Sequence, residues 1–386
     1  MSLSDKNIAL VIVSSVTLGV FLSSMALWQT GLTAIMNVFK NIHVEWLKYY
    51  LLVSLLIAIG LALKWRVVLK SYGVKLPYHT LFIYRLIGFA VSYITPVAHV
   101  GGESVRALLL KKHKVPLKIA FSASIVDRAI EILFNLLAFF IGSLIILNSS
   151  VFPIVARVSI FIISLLLVSL VSILFYLILN QQKVISKILS WFFKKRKNWL
   201  TIKKGADDVE YLIESFYRKK KYFFKTLGIN CLLWVLMFLE YKLALLMLGY
   251  DAGIFAIFLF LTGVGIAYTI PIPAAFGVLE LGQISVASIL SIPSAIGFGL
   301  AIVVRLRDFI WTTIGLVLVI FYRLNAFNLF KKSQVYAEEY NFQNLDLNLI
   351  VQEQTKNFKN FKNEKLGKLK NSKKSKLNKL NKLKKK

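Results

Sequence analysis

The chain has very few of the residues that build disulfide scaffolds and metal centres. Among 386 residues there is one cysteine, Cys231, and there are only four histidines, at scattered positions. A single cysteine excludes a disulfide within the chain, and the histidines show no ligand spacing. We therefore predict no metal site and no cofactor, and we expect Cys231 to pack as a small apolar residue.

Charged residues are also scarce. Only 17% of the residues are charged and 57% are hydrophobic, with a mean hydropathy of +0.68. Soluble proteins carry about 25% charged residues. Apolar runs long enough to cross a bilayer recur along the chain. They lie at about 8–28, 45–63, 119–147, 154–179, 226–247 and 296–321. This pattern predicts an all-α polytopic membrane protein.

Acidic residues are outnumbered by basic ones, 18 to 48, and the positions of the basic residues predict the topology. Four segments are rich in lysine and arginine, and three others hold few. The rich segments are 64–75, 106–118, 183–225 and the residues after 331, and the poor ones are 29–44, 148–153 and 248–253. Because basic loops stay on the cytoplasmic side, we expect a multi-pass protein of the plasma membrane with both termini in the cytoplasm.

Residues 81–98 are apolar enough to cross the membrane, yet basic segments flank them on both sides. A single crossing would put one basic flank outside, whereas a hairpin that enters and returns keeps both inside. The break from Pro96 through Gly101 and Gly102 supplies the bend, because proline lacks an N–H and glycine tolerates left-handed geometry. Irregular backbone at membrane depth is tolerated only beside protein or a wet cavity. The sequence therefore predicts a re-entrant hairpin that borders a cavity.

A second break reads YTIPIPAAFGVLELGQ, residues 268–283, and contains Pro273 and Gly277. It lies between apolar pieces at about 254–270 and 281–292. The second piece is short for a span, so a hairpin that enters from outside is preferred. Two ordinary spans would also leave the C-terminus inside, and that alternative stays open.

The two breaks align at one constant offset along the chain. The aligned pairs are Gly88 with Gly265, Pro96 with Pro273, Glu103 with Glu280, Pro116 with Pro293, Arg128 with Arg305, and Glu131 with Asp308. Three predicted spans lie between the breaks, and an odd number gives the halves opposite orientations. We predict two inverted repeats, about 8–147 and 154–321, each with three transmembrane helices and one re-entrant helical hairpin. Together with the basic loop 180–225 they form a membrane domain, 1–325, of the kind found in secondary transporters.

Several ionisable residues lie inside or at the ends of the apolar runs. They are Arg85, Glu103, Arg106, Asp127, Arg128, Glu131, Glu240, Arg305, Arg307 and Asp308. Each charge at the bilayer centre costs about 2.5–3.5 kcal/mol on insertion scales, so these groups should pair or line a wet path. Arg128 and Glu131 are three residues apart, as are Arg305 and Asp308, a spacing that permits local ion pairs. We expect Glu131, Arg307 and Asp308 to act as supporting partners.

These charges allow two interpretations. In the structural one, Glu103 and Glu280 begin helices and each bonds the arginine of its own repeat, while Glu240 pairs with Lys242 or a partner helix. In the functional one, Arg128 and Arg305 lie near two helix N-termini and form a seat for phosphate.

Three stretches, TPVAHVGGESVRALLL, SASIVDRAIEI and YTIPIPAAFGVLELGQ, resemble the flippase-like membrane family named for the transmembrane domain of lysylphosphatidylglycerol synthases. The resemblance covers roughly 5–325. It implies movement of lipids or lipid-linked head groups, with relatives associated with aminoacylated phosphatidylglycerol and, in archaea, polyprenyl-linked sugars. The site residues that it implies are Glu103, Arg106, Asp127, Arg128, Glu280 and Arg305.

The sequence departs from the family pattern in two ways. A basic or small residue often precedes the first glycine in the family, whereas this chain has Ala98-His99-Val100, so His99 becomes a candidate head-group contact. No aminoacyl-transferase domain follows the membrane part, so we do not expect this chain alone to transfer lysine from tRNA.

The tail, residues 326–386, is dominated near its end by lysine, asparagine and leucine. Such a charged segment is expected to be disordered in water. We expect it to bind anionic lipid, with a binding free energy of about 1 kcal/mol for each basic residue near the membrane surface. Nucleic acid is the disfavoured rival, because the tail has no motif that interleaves aromatic and basic residues.

The preferred hypothesis is a flippase or scramblase for an anionic lipid or a polyprenyl-phosphate-linked glycolipid. One alternative is a membrane-embedded lipid-phosphate transferase with Glu103 or Asp127 as the base, although no metal motif or activated nucleophile supports an enzyme. The other is a membrane scaffold that transports nothing and docks a cytoplasmic enzyme through 183–225 and the tail.

Overall fold

A computed structural model of the chain describes residues 5–94, 100–147, 153–180, 182–193, 199–268, 270 and 272–322. Over these residues the protein is helical, without strands. The helices are α1 (Asp5–Thr30), α2 (Leu32–Lys40), α3 (Leu47–Ser71), α4 (Tyr78–Ile94), α5 (Val100–Leu110), α6 (Leu117–Leu147), α7 (Ile154–Leu179), α8 (Val184–Phe193), α9 (Trp199–Arg218), α10 (Lys220–Met247), α11 (Ile254–Ala267), α12 (Val278–Ile289) and α13 (Ser294–Phe321). The tail lies outside the described residues.

Four described helices are long and apolar enough to cross a membrane: α3 with the turn before it, α6, α7 and α10. A fifth span results if α1 and α2 are counted together, although they meet at an angle of 78°. Gly31 makes this bend with a φ of 80°, in the left-handed region that glycine tolerates. The prediction of a polytopic helical membrane protein is confirmed.

The predicted span at 296–321 differs from the other five. It lies in α13, which has 28 residues but carries Arg305, Arg307 and Asp308 near its middle. These three charges make α13 more polar than the four apolar spans, and they point to a helix that is surrounded by protein on its charged face.

The first break joins α4 and α5, which pack against each other as an antiparallel helical pair. The amide of Gly102 donates to Ser92 Oγ at 3.1 Å. A Cβ atom on Gly102 would lie 2.0 Å from the Gly88 carbonyl oxygen, so the two backbones are in direct contact. Two helices in direct contact therefore flank the first break, whereas Pro96 and His99 lie outside the described residues.

Glycine-to-alanine substitutions at Gly102 and at Gly228 are expected to have opposite effects on stability. Gly102→Ala forces a methyl group into the Gly88 backbone, and overpacking of this kind costs about 1–3 kcal/mol. Gly228→Ala is the matched control, because nothing lies within 4 Å of its added Cβ on α10. It should stabilise the helix by about 0.5–1 kcal/mol. Thermal unfolding of the purified proteins in detergent tests this, and a Gly102→Ala variant as stable as Gly228→Ala would contradict it.

The second break joins α11 and α12 through a short 3₁₀ turn at Pro273–Ala275. Ala274 and Ala275 have left-handed φ values of 54° and 49°. Gly277 has a φ of 80°, and a Cβ there would lie 2.4 Å from Leu22 Cβ on α1. The two helices have 14 and 12 residues, fewer than the roughly 20 that a span requires. Each helix is therefore shorter than an ordinary span.

The basic loop 180–225 is largely helical. Its two helices, α8 and α9, are joined by Glu210, whose carboxylate accepts from the Val184 amide at 2.5 Å. An ion pair between Lys118 and Asp208 ties α9 to α6. The segment is thus a packed layer on the membrane helices and not only a topological marker.

Two apolar cores share α3. Its first half contributes Tyr50, Val53 and Ile57 to a core with α10–α13. Its second half contributes residues from Trp65 onward to a core with α4, α5, α6 and α9. Lys64, fully buried, lies on α3 between these two groups. The chain therefore brings a charge to the region where its two cores meet.

Candidate functional site

A cavity with charged residues in a largely apolar wall lies among α3, α4, α5, α6, α10, α11 and α13. Its first lobe has a volume of about 340 Å³ and is bordered by Glu103, Arg106, Arg128 and Glu131. Its second lobe has about 280 Å³ and is bordered by Glu240 and Tyr241. The lobes are adjacent, because they share wall residues. The shared residues include Leu61, Arg85, Phe89, Asn135, Tyr268, Arg307 and Asp308.

Asp127 is the centre of the charged groups beside the first lobe. Its carboxylate accepts from Arg106 Nη1 at 3.0 Å and from Arg85 Nη1. Lys64 Nζ lies 3.3 Å from its other oxygen. Since the four residues come from α3, α4, α5 and α6, this buried carboxylate joins four helices. It also compensates the charges of the cations around it, which would be costly to bury unpaired.

Glu131 lies one turn further along α6 and bonds three cations. It accepts from Lys64 Nζ at 2.7 Å, from Arg85 Nη2 at 3.0 Å and from Arg128 Nη1 at 3.1 Å. The predicted local pair of Arg128 and Glu131 is confirmed. The structure also places Glu103 beside Arg128, with Oε1 3.6 Å from Nε.

Arg128 is the most accessible cation of this group. Its side chain is 28% exposed, against 15% for Arg85, and it borders the first lobe. Its guanidinium donates to Glu131 but lies beyond hydrogen-bonding distance of Glu103, so it retains donor capacity toward the cavity.

Lys64 was missed by the sequence analysis as a site residue, because it begins the basic segment 64–75. The structure extends α3 to Ser71 and buries Lys64 completely. Its ammonium also donates to Asn230 Oδ1 at 3.2 Å. The signal that could have found it is the apolar sequence on both sides, LALKWRVVL, which indicates that the helix continues through the lysine.

Arg305 has a different role from Arg128. It forms a bidentate pair with Glu280, with Nη2 to Oε2 at 2.7 Å. It also donates to the carbonyls of Ala274 at 3.0 Å and Ala275 at 3.2 Å. Neither Arg305 nor Glu280 borders the two lobes, so the structure does not bring Arg305 to the cavity beside Arg128. Instead, Arg305 holds the left-handed backbone of Ala274 and Ala275, which follow Pro273.

The second lobe contains a smaller charged group. Arg307 Nη1 donates to Glu240 Oε2 at 2.6 Å, and Arg307 Nη2 donates to Asp308 Oδ1 at 2.8 Å. The Tyr268 hydroxyl bonds the other Asp308 oxygen. The predicted local pair of Arg305 and Asp308 is therefore wrong, because the neighbouring guanidinium and Tyr268 bind Asp308. Glu240 pairs with a partner helix, which was one of its two predicted alternatives.

The charges divide unevenly between the two groups. The first cluster contains four cations and three carboxylates: Lys64, Arg85, Arg106, Arg128, Glu103, Asp127 and Glu131. The second cluster contains one cation and two carboxylates: Arg307, Glu240 and Asp308. The first lobe therefore favours an anion. Among the described residues, no group of three or more His, Cys, Asp or Glu side chains is arranged to hold a metal ion.

Comparisons with known proteins agree that the chain is a membrane protein. A UPF0104 membrane protein of Methanocaldococcus jannaschii is 27% identical over 306 residues, which cover 74% of this chain and 86% of the relative. A UPF0104 membrane protein of Pyrococcus horikoshii is 22% identical over 321 residues, which cover 79% of this chain and 95% of the relative. No solved structure matches the chain. The family model for the lysylphosphatidylglycerol synthase TM region matches residues 8–315, so the chain belongs to that family.

Proposed function

We propose that this protein moves an anionic lipid or a polyprenyl-phosphate-linked glycolipid across the bilayer, as a flippase or scramblase. The phosphate of the head group would enter the first lobe and bind Arg128, while the lipid chains remain in the apolar surroundings. Membership of the family is compatible with a role in lipid movement.

The observation that carries the proposal is the accessible guanidinium of Arg128 in a cavity between apolar helices. Arginine binds phosphate with two parallel charge-assisted hydrogen bonds. Lys64 and Arg85 would keep Glu131 compensated when Arg128 turns to a ligand, because both already bond that carboxylate. The site can thus release Arg128 without leaving the Glu131 carboxylate unpaired.

The order of the helices supports an alternating mechanism built on two inverted repeats. Helices α3 to α6 correspond to α10 to α13 at the offset that aligns the two breaks. Leu117, which begins α6, corresponds to Ser294, which begins α13, and the starts of α4 and α5 correspond within one residue to those of α11 and α12. In this proposal α4–α5 and α11–α12 are re-entrant hairpins that enter from opposite sides. Transporters of this class bind substrates where such broken helices meet.

Charge distribution supports an orientation with both termini, α8 and α9 in the cytoplasm of a plasma-membrane protein. The polybasic tail would then face anionic lipid of the inner leaflet.

The proposal predicts transport by the purified protein in liposomes. Vesicles would contain phosphatidylglycerol with a fluorescent head-group-proximal label, and an impermeant reductant would bleach only the outer leaflet. Protein-free vesicles should retain about half of the signal, whereas vesicles with the protein should lose most of it on the time scale of bleaching. A polyprenyl-phosphate-linked probe tests the second substrate class in the same way. Retention of half of the signal with both probes would contradict the proposed function.

A further inference from the structure

The second lobe contains a buried carboxylate oxygen that the rest of the site leaves unused. Glu240 is 2% exposed, and its Oε2 accepts from Arg307. Its Oε1 is buried and has no hydrogen-bond partner in the part of the chain that the structure describes. Tyr241 borders the same lobe, and its hydroxyl is also buried without a hydrogen-bond partner among the described residues. Ser54 also faces Glu240, and its hydroxyl accepts from Trp311 Nε1 at 2.9 Å. A buried polar atom without a partner is uncommon in native proteins and is often functional.

The charge around this oxygen is unbalanced. The two carboxylates of the second cluster, Glu240 and Asp308, share the single guanidinium of Arg307. The other titratable or charged groups that face this cluster are Tyr50 from α3, Arg85 and Tyr93 from α4, Tyr241 from α10 and Tyr268 from α11. The tyrosines are neutral phenols, and Arg85 already binds Asp127 and Glu131. The second cluster therefore keeps one excess negative charge.

The whole cavity is formally neutral, because the first cluster has one excess positive charge. A phosphodiester bound at Arg128 would add a negative charge to this enclosed space. Charges interact strongly over short distances where water is limited, so an added anion favours a compensating cation nearby. A proton is the smallest such cation, and the second cluster is where one would restore neutrality.

We infer that binding of a lipid phosphate in the first lobe is coupled to uptake of one proton by the second cluster, at Glu240. An O–H bond forms at Oε1 with a proton from the aqueous phase, and no other bond changes. The protein would thus carry lipid phosphate and a proton together, so that a proton gradient could drive the movement. This inference rests on the proposed function and adds its energy source.

Titration calorimetry can count the protons. Dioctanoyl phosphatidylglycerol is titrated into the purified protein in buffers of different ionisation enthalpy, with a soluble prenyl phosphate as the second probe. We expect about one proton taken up per phosphatidylglycerol bound, and affinity that tightens up to tenfold for each unit by which pH falls. Glu240→Gln, which keeps an acceptor for Arg307, should bind with no proton uptake and little pH dependence. Glu45→Gln, which removes an exposed carboxylate outside the cavity, should behave as the wild type.

The outcomes separate the two proposals. Lipid binding by the wild type without proton uptake would overturn the coupling and leave the proposed function standing. Undiminished proton uptake by a folded Glu240→Gln variant would overturn the assignment to Glu240. Asp308→Asn would then test whether the other carboxylate of the second cluster takes up the proton. Binding of neither probe would overturn the proposed function and the coupling with it.

Discussion

Replacing Arg128 with alanine is expected to lower lipid transport in liposomes about 100-fold or more, to the rate of protein-free vesicles. A hydrogen bond to a charged group contributes about 1.5–3 kcal/mol, and a bidentate phosphate contact loses two of them. Since every tenfold change corresponds to about 1.4 kcal/mol, the loss of both reaches this magnitude. The bleaching assay with labelled phosphatidylglycerol measures the effect.

The same variant should remain folded. Arg128 is partly exposed to the cavity, and Glu131 keeps its bonds to Lys64 and Arg85 without it. Arg218→Ala is the matched control, because Arg218 is 64% exposed on α9 and pairs with Glu214 away from both lobes. It removes one arginine charge and should transport like the wild type. Full transport by a folded Arg128→Ala variant would disprove the role of Arg128.

Replacing Asp127 with alanine is expected to produce the largest loss of stability. This carboxylate compensates Lys64, Arg85 and Arg106 in a fully buried position. Removing one partner of a buried ion pair costs about 3–5 kcal/mol, because an uncompensated charge stays behind. Asp127→Ala should therefore unfold at a much lower temperature in detergent, or fail to accumulate as a monodisperse protein.

Asp251→Ala is the control for this effect. Asp251 is 77% exposed and pairs with Lys242, so its loss should cost less than about 1 kcal/mol. If Asp127→Ala unfolded at the same temperature as Asp251→Ala, the buried cluster would not hold the four helices together. The transport defect of Arg128→Ala and the folding defect of Asp127→Ala should thus be distinct, although the two residues are neighbours.

Arg128 and Arg305 align in sequence but have different surroundings, which the sequence alignment did not predict. Arg128 and Arg305 occupy equivalent positions when the two breaks are aligned in sequence. Arg128 lies beside Glu103, and Arg305 lies beside Glu280. The second break, however, has two left-handed alanines whose carbonyls take the remaining donors of Arg305. Of these two aligned residues, Arg305 therefore binds backbone carbonyls, whereas Arg128 faces the cavity.

The sequence by itself determined the class of the protein, because hydropathy is a local property of consecutive residues. It predicted the runs that became α3, α6, α7 and α10, and it located both breaks through their prolines and glycines. It also identified most of the buried ionisable residues, since a charge within an apolar run is visible without a fold.

Only the tertiary structure decided which charges that are distant in sequence meet. Glu240 and Arg307 are separated by 67 residues, and Lys64 and Asn230 by 166, so no local pattern could pair them. Lys64 lies at the site because α3 continues through it. Arg305 lies away from the cavity because it binds the backbone carbonyls of Ala274 and Ala275. Electrostatic pairing in a low-dielectric interior depends on distances of a few ångströms, and the packing of helices sets those distances.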